Sequence, residues 1–235
     1  MTDIAILGSS AISTGSILKR TMLVLQGNLP LAAGAFAALT ALSVAMDMLV
    51  GPDGRGNMLV SGLATVYAQY LITKTVMDAG GLDSAGAGEY RAAGFGAVFG
   101  VCFLSNLAII LGLLLLVVPG VFLAIRWFAA VPALIGEDSG VTRALGLSWE
   151  RTKGYGGAIF GSLLVIYLPL IIAVIVAIGI GISAADAGME ESGGLAESLI
   201  LNSLIGLSSI IGWHAAIAFW ELRSPAAPAL ADVFA

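Results

Sequence analysis

The segment Tyr155–Ser183 carries no charged side chain. It is longer than the about 20 residues that cross the hydrocarbon core of a bilayer as a helix. Five further segments are predominantly apolar: about Leu29–Val50, Met58–Met77, Gly94–Val118, the shorter Val121–Ile135, and Ala196–Trp220. Of the 235 residues, 59% are hydrophobic and 11% are charged. Soluble domains run near about 45–50% and about 25%. A water-exposed surface cannot be covered with so few polar groups, and the mean hydropathy of +1.01 agrees. The expected fold is an all-α polytopic membrane bundle, one domain over residues 1–235 with six transmembrane helices.

Gly is abundant, with 31 residues. Many of them lie inside the apolar runs, where membrane helices use them for close packing. The net charge of −5 is spread over the connections and offers no basic face to nucleic acid. One Cys (Cys102) and one His (His214) exclude an intrachain disulfide and a zinc site built from those residues. No metal and no cofactor are expected. Met1–Ser16 lacks a basic start followed by an apolar stretch, so no cleavable leader is expected.

Two shorter segments differ in kind. In Val141–Lys153, residues Val141, Leu145, Trp149 and Thr152 share one helical face, and Arg143, Glu150, Arg151 and Lys153 surround it. That spacing predicts an amphipathic helix lying in the membrane interface. In Ile12–Gln26, Leu18, Thr21, Met22 and Leu25 share a face beside Lys19 and Arg20. Both segments are basic, end at a glycine (Gly27, Gly154) and lead into a span. They form a weak internal repeat by pattern, or are two independent interfacial helices.

Six spans place Lys19, Arg20, Lys74, Arg91, Arg143, Arg151, Lys153 and Arg223 on one side and Arg55 on the other, with Arg126 within a span. The excess of Lys and Arg marks the cytoplasmic side. Both termini are therefore expected in the cytoplasm, and the segment Asp186–Glu197, acidic through Asp186, Glu190, Glu191 and Glu197, outside.

Few residues offer chemistry. Arg126 follows Pro119 by seven residues, roughly 10 Å along a helix. An Arg at a helix centre costs about 2.5–3.5 kcal/mol on insertion scales and usually faces protein or water. Asp47 and the carbonyls freed around Pro119 and Pro132 are candidate partners. Arg126 then binds a lipid phosphate or other anion, ties two helices together, or snorkels to a headgroup beside Trp127. His214, after Trp213, is a proton relay or a hydrogen bond to a neighbouring helix. Asn202 and Gln69 read as links between helices. Gly96-Ala-Val-Phe-Gly100 and Gly157-Ala-Ile-Phe-Gly161 have the spacing for close helix approach, within the chain or between copies. Pro119-Gly120 is expected to end the third span and Pro169 to interrupt the fifth. There is no metal cluster, phosphate loop or nucleophilic Ser with a His partner, so no catalytic residue is assigned.

The stretch Val118-Pro119-Gly120-Val121-Phe122-Leu123-Ala124-Ile125-Arg126-Trp127, continuing as Ala130-Val131-Pro132-Ala133-Leu134, carries a resemblance. So do Ala144-Leu145 and Ser148-Trp149-Glu150-Arg151-Thr152-Lys153-Gly154. Together they resemble the glycerophosphoryl diester phosphodiesterase membrane-domain family and its six-span relatives. In that family a Pro-Gly turn leads through an aliphatic run to Arg-Trp, and a Ser-Trp-Glu helix precedes the next span. Some members fuse this region to a soluble phosphodiesterase domain. This sequence has no room for one and lacks its acidic and His catalytic residues. The resemblance implies a place beside lipid metabolism in a bacterial inner membrane and transfers no catalysis. The leading expectation is a non-enzymatic scaffold or accessory module whose partners are membrane lipids, other membrane proteins or a second copy. The alternative is a small transporter or channel with its site near Arg126.

Overall fold

The computed structural model describes residues 12–51, 54–82, 94–186 and 194–224. They are helical, with no strand among them: α1 (Thr14–Gly27), α2 (Leu29–Val50), α3 (Arg55–Ala79), α4 (Phe95–Leu115), α5 (Val117–Arg126), α6 (Ala130–Gly136), α7 (Val141–Arg151), α8 (Gly156–Asp186) and α9 (Leu195–Arg223). Five stretches are long and apolar enough to cross a membrane: Leu29–Val50, Phe95–Leu115, Val117–Gly136, Gly156–Gly179 and Leu195–Arg223. Residues 1–11 of the segment Met1–Ser16, Arg91, and Glu190 and Glu191 of the acidic segment lie outside the described residues.

The helix ends follow from local chemistry. Ser13 caps α1 through a reciprocal pair with Ser16, which satisfies two otherwise orphaned N–H groups. Asn28 separates α1 from α2. Its N–H donates to the Leu25 carbonyl at 3.1 Å and its side-chain amide to the Val24 carbonyl at 3.0 Å. Pro30 then sits in the first turn of α2, where a missing N–H costs nothing. Gly154, at φ +82°, turns the chain from α7 into α8, a backbone state glycine adopts without strain.

Prolines act differently from the expectation. Pro119-Gly120 does not end a span: α4 stops at Leu115, Leu116 alone is extended, and Pro119 is the third residue of α5. Pro132 likewise sits in the first turn of α6. A first-turn N–H has no intrahelical partner, so proline suits these positions. Pro169 does not interrupt α8, which runs unbroken from Gly156 to Asp186. The expected helix Val121–Ile135 is instead two helices, α5 and α6, parted at Trp127–Ala129.

α9 is the hub, packing against α1, α2, α3, α6 and α8. Its C-terminal half is buried, as are all seven residues of α6. Ile17, Met77, Leu134, Ile159, Ile217 and Phe219 lie fully enclosed in the core. α1 buries Ile17, Thr21 and Val24; of the expected face, Thr21 is buried, Leu18 and Leu25 are half-buried and Met22 is exposed. Met22 and Leu23 point out of the bundle.

The two glycine motifs are used in parallel ways. A Cβ on Gly100 would lie 3.1 Å from Val141 Cγ2, in the first turn of α7. A Cβ on Gly161 would lie 2.5 Å from Thr14 Oγ1, in the first turn of α1, and Thr14 Oγ1 donates to the Ala158 carbonyl at 3.2 Å. Each amphipathic helix thus starts on the last glycine of one motif. Gly96 and Gly157 face open space.

Candidate functional site

The break between α5 and α6 leaves backbone groups without helical partners, and α7 supplies them. Ser148 Oγ donates to the Arg126 carbonyl at 2.8 Å and accepts from the Ala129 N–H at 3.2 Å. Thr152, one turn further on, also reaches the Arg126 carbonyl at 3.2 Å. Both side chains belong to fully buried residues. One face of α7 (Ala144, Leu145, Ser148, Thr152) thus stitches a broken helix closed.

The same join sets Arg126. Its guanidinium carbon lies 5.0 Å from the Phe122 ring centre and 5.2 Å from that of Trp149, while those two rings meet edge to face at 5.5 Å. Aromatic faces attract a guanidinium and stack on its plane. Arg126 Nε is buried without a hydrogen-bond partner, and no described carboxylate forms an ion pair with this residue. Trp127 caps α5, its N–H donating to the Leu123 carbonyl at 2.9 Å, and packs half-buried against the core.

The other cations here are spoken for or solvated. Arg151 pairs with Glu137 and lies 3.6 Å from the Trp220 ring centre. Burial pulls the Arg151 guanidinium below its ordinary pKa, the Glu137 charge opposes this, and nearby Arg223 adds to the fall. Lys153 pairs with Glu150 at 2.7 Å, and Arg20 reaches across to Glu221 at 2.6 Å. Arg223 donates to the Tyr155 hydroxyl at 3.2 Å. Arg143 is exposed. This end of the bundle is a basic and aromatic belt, with Arg126 at the α5–α7 junction.

A sequence profile of the membrane domain of glycerophosphoryl diester phosphodiesterase matches residues 99–219. The match covers more than half of the chain. The chain belongs to that membrane-domain family. The profile describes the membrane domain and not a catalytic one, and the protein is a multi-pass membrane protein of this family. No curated protein and no solved structure matches the chain. The family stretch coincides with the stitched break: its Arg-Trp and Ser-Trp-Glu-Arg-Thr segments are the two sides of one contact.

Asp47 lies elsewhere and is not the counter-charge of Arg126. It ends α2 beside α3 and α9. One carboxylate oxygen accepts from the Asn57 amide at 2.6 Å. The other accepts from Ser198 Oγ at 2.6 Å and the Asn202 amide at 2.7 Å. Ser61 Oγ in turn donates to Asn57 Oδ1 at 2.9 Å. A cleft of about 360 Å³ opens here, lined by Ser43, Glu197, Leu201 and Ile205 as well as these residues. Sequence reasoning named Asp47, and Asn202 as a link between helices, but did not join them and missed Asn57 and Ser198. Their signal was present: Ser198 and Asn202 are four apart, on one face of α9.

Replacing Asp47 by Ala deprives three donors of their acceptor. A loss of about 1–2 kcal/mol is expected, because the cleft lets water replace part of the lost bonding. Reversible unfolding in mixed micelles measures it, and a loss below ~0.3 kcal/mol would mean that water satisfies the donors fully.

His214 sits in neither region. It is fully buried in α9. Nδ1 lies 2.7 Å from the Ile210 carbonyl one turn back. A carbonyl only accepts, so Nδ1 carries the proton. Nε2 is buried without a partner. The expected links of Asn202 and Gln69 do cross between helices, to Asp47 on α2 and from Cys102 Sγ on α4 at 3.4 Å.

Proposed function

We propose that the protein is a non-enzymatic membrane module, a scaffold or accessory protein that holds an anionic lipid headgroup at Arg126. It sits in a bacterial inner membrane with both termini in the cytoplasm, and α1 and α7 lie at that interface. One observation carries the reading. Arg126 stands on two aromatic rings with a buried, unpartnered Nε and no described carboxylate, while Arg20, Arg151 and Lys153 each have one. A guanidinium fixed in that way is matched by a planar or tetrahedral oxyanion such as a lipid phosphate. The bias of Lys and Arg supports the orientation.

Native mass spectrometry of the protein extracted with its own lipids tests this. The wild type is expected to retain an anionic lipid that Arg126→Ala loses and Asp47→Asn keeps. Equal release from all three makes Arg126 structural. Hydrolysis of a glycerophosphodiester by the pure protein, abolished in Arg126→Ala, would replace the module by an enzyme.

The Asp47 cleft favours a second reading, a small transporter whose site is Asp47 and not Arg126. Its described lining carries the carboxylates of Asp47 and Glu197, so it would take cations or polyhydroxylated solutes. Solute uptake into vesicles that Asp47→Asn abolishes would establish it.

A further inference from the structure

Between Asn106 and Arg126 the sequence has no polar side chain. The structure folds this run into a hairpin. The end of α4 and all of α5 pack against each other, and the chain reverses at Leu116 alone. The tip is the most exposed apolar segment described, with Leu114 at 78%, Leu115 at 79% and Val118 at 78% exposure. A turn that reached the water on the far side of a membrane would be expected to carry polar or turn-forming residues. This one is Leu-Leu-Leu-Leu-Val-Val.

Three contacts fix how deep the tip goes. Ser148 and Thr152 of α7 hold the carbonyl of Arg126, and α7 exposes Arg143 and Glu150, with Lys153 just beyond it. A helix with that surface lies at the interface, not in hydrocarbon. Ile125 touches the start of α8, where a Cβ on Gly156 would lie 3.8 Å from its Cγ2. Val141 of α7 packs on Gly100 of α4. The interface therefore crosses α5 near Arg126 and α4 near Gly100. From there a helix rises about 13 Å to Val117 and about 22 Å to Leu115. The hydrocarbon core is about 30 Å thick.

We infer that the α4–α5 hairpin enters and leaves the membrane through the face that carries α7, and that lipid acyl chains cover its tip, Leu113–Val118. The hairpin is a re-entrant anchor and not two crossings. α6 does not extend it, because all seven of its residues are buried within the protein. With α3 crossing as its segment Met58–Met77 was expected to, a pair of the six crossings is removed and the sides expected for every other segment are unchanged. The reading is independent of what Arg126 binds. The backbone is adapted to the position: one residue is non-helical, its N–H donates to the Gly112 carbonyl at 3.0 Å, and Pro119 brings no N–H to satisfy. The base is flanked by Arg126, Trp127 and Trp149, the residue types that mark an interface.

Spin labels test this on single cysteines at Leu116, Val118 and Lys153, each in a Cys102→Ser background. The protein is reconstituted in vesicles of phosphatidylethanolamine and phosphatidylglycerol. Collisions with oxygen, which concentrates in hydrocarbon, are compared with collisions with a water-soluble nickel chelate. Labels at 116 and 118 are expected to show strong oxygen collisions and loss of the nickel collisions seen at 153. Nickel collisions at 116 and 118 equal to those at 153 would place the tip in water and overturn the inference. Low collision with both reagents would place protein over the tip and overturn it too. Agreement of the two tip positions guards against one misfolded variant.

Discussion

Replacing Ser148 by Ala is expected to cost about 2–3 kcal/mol of stability, because it strips a buried N–H and weakens the hold on a buried carbonyl at one stroke. Ser148 is fully buried and joins Ala129 N–H to the Arg126 carbonyl. Thr152→Val should cost less, about 1 kcal/mol, because the single hydroxyl proton of Thr152 lies nearer the Ser148 carbonyl at 2.9 Å and the Trp149 carbonyl at 3.1 Å than the Arg126 carbonyl at 3.2 Å, and Ser148 remains. The double variant should exceed the sum, since each hydroxyl backs up the other on a shared acceptor. Reversible unfolding in mixed micelles gives all three values. Arg126→Ala makes the control. It removes the guanidinium but leaves the carbonyl, so the stitch survives and lipid retention alone should fall. If Ser148→Ala stays within ~0.5 kcal/mol of wild type, the break is held by packing and not by hydroxyls.

The family profile covers this stretch. Arg-Trp and Ser-Trp-Glu-Arg-Thr lie more than twenty residues apart in sequence but meet across one joint. The residue that matters for the fold is Ser148, which an amphipathic reading of α7 passes over as a small polar residue. The face expected there, Val141, Leu145, Trp149 and Thr152, is only partly the buried one: Leu145 and Thr152 are buried, Val141 and Trp149 half-buried. Ser148 and Thr152 are buried beside Ala144 and Leu145, because the neighbour they face is a broken backbone and not a side-chain surface.

Helix existence was legible wherever an apolar run ends in a polar or glycine-rich connection. α2 begins at Leu29 and ends at Val50, at the expected residues, because Asn28 and the Gly51 region punctuate it. The joint at Trp127–Ala129 was not legible. Val121–Ile135 reads as one apolar run interrupted only by Arg126, and periodicity does not separate a continuous helix from two short ones when nearly every position is apolar. The prolines misled for a related reason: a proline opens a helix as readily as it closes one, and only the fold decides. The Asp47 network was hidden because its members end three different helices. The reach of Arg20 to Glu221 and of Arg151 to Glu137 was hidden in the same way, since charge counts place residues on a side without pairing them.

Gly120→Ala is expected to destabilise the hairpin by about 1–3 kcal/mol through overpacking. A Cβ there would lie 2.4 Å from Leu113 Cγ, 2.6 Å from Cδ2 and 2.7 Å from the Leu113 backbone nitrogen. At Gly112 the obstacle is backbone alone: an added Cβ would lie 2.9 Å from both Gly120 Cα and Gly120 N. Side chains turn aside and backbone does not, so the two variants separate the causes. Adding Leu113→Ala to Gly120→Ala should restore part of the loss, because the side-chain collision disappears and the one with nitrogen stays. No partner substitution should rescue Gly112→Ala, since no side chain stands in its way. Unfolding of each variant in mixed micelles gives the comparison. Full recovery of Gly120→Ala by the Leu113 change would mean that the arms meet only through side chains. The backbone contact at Gly112–Gly120 would then not be what keeps the tip narrow.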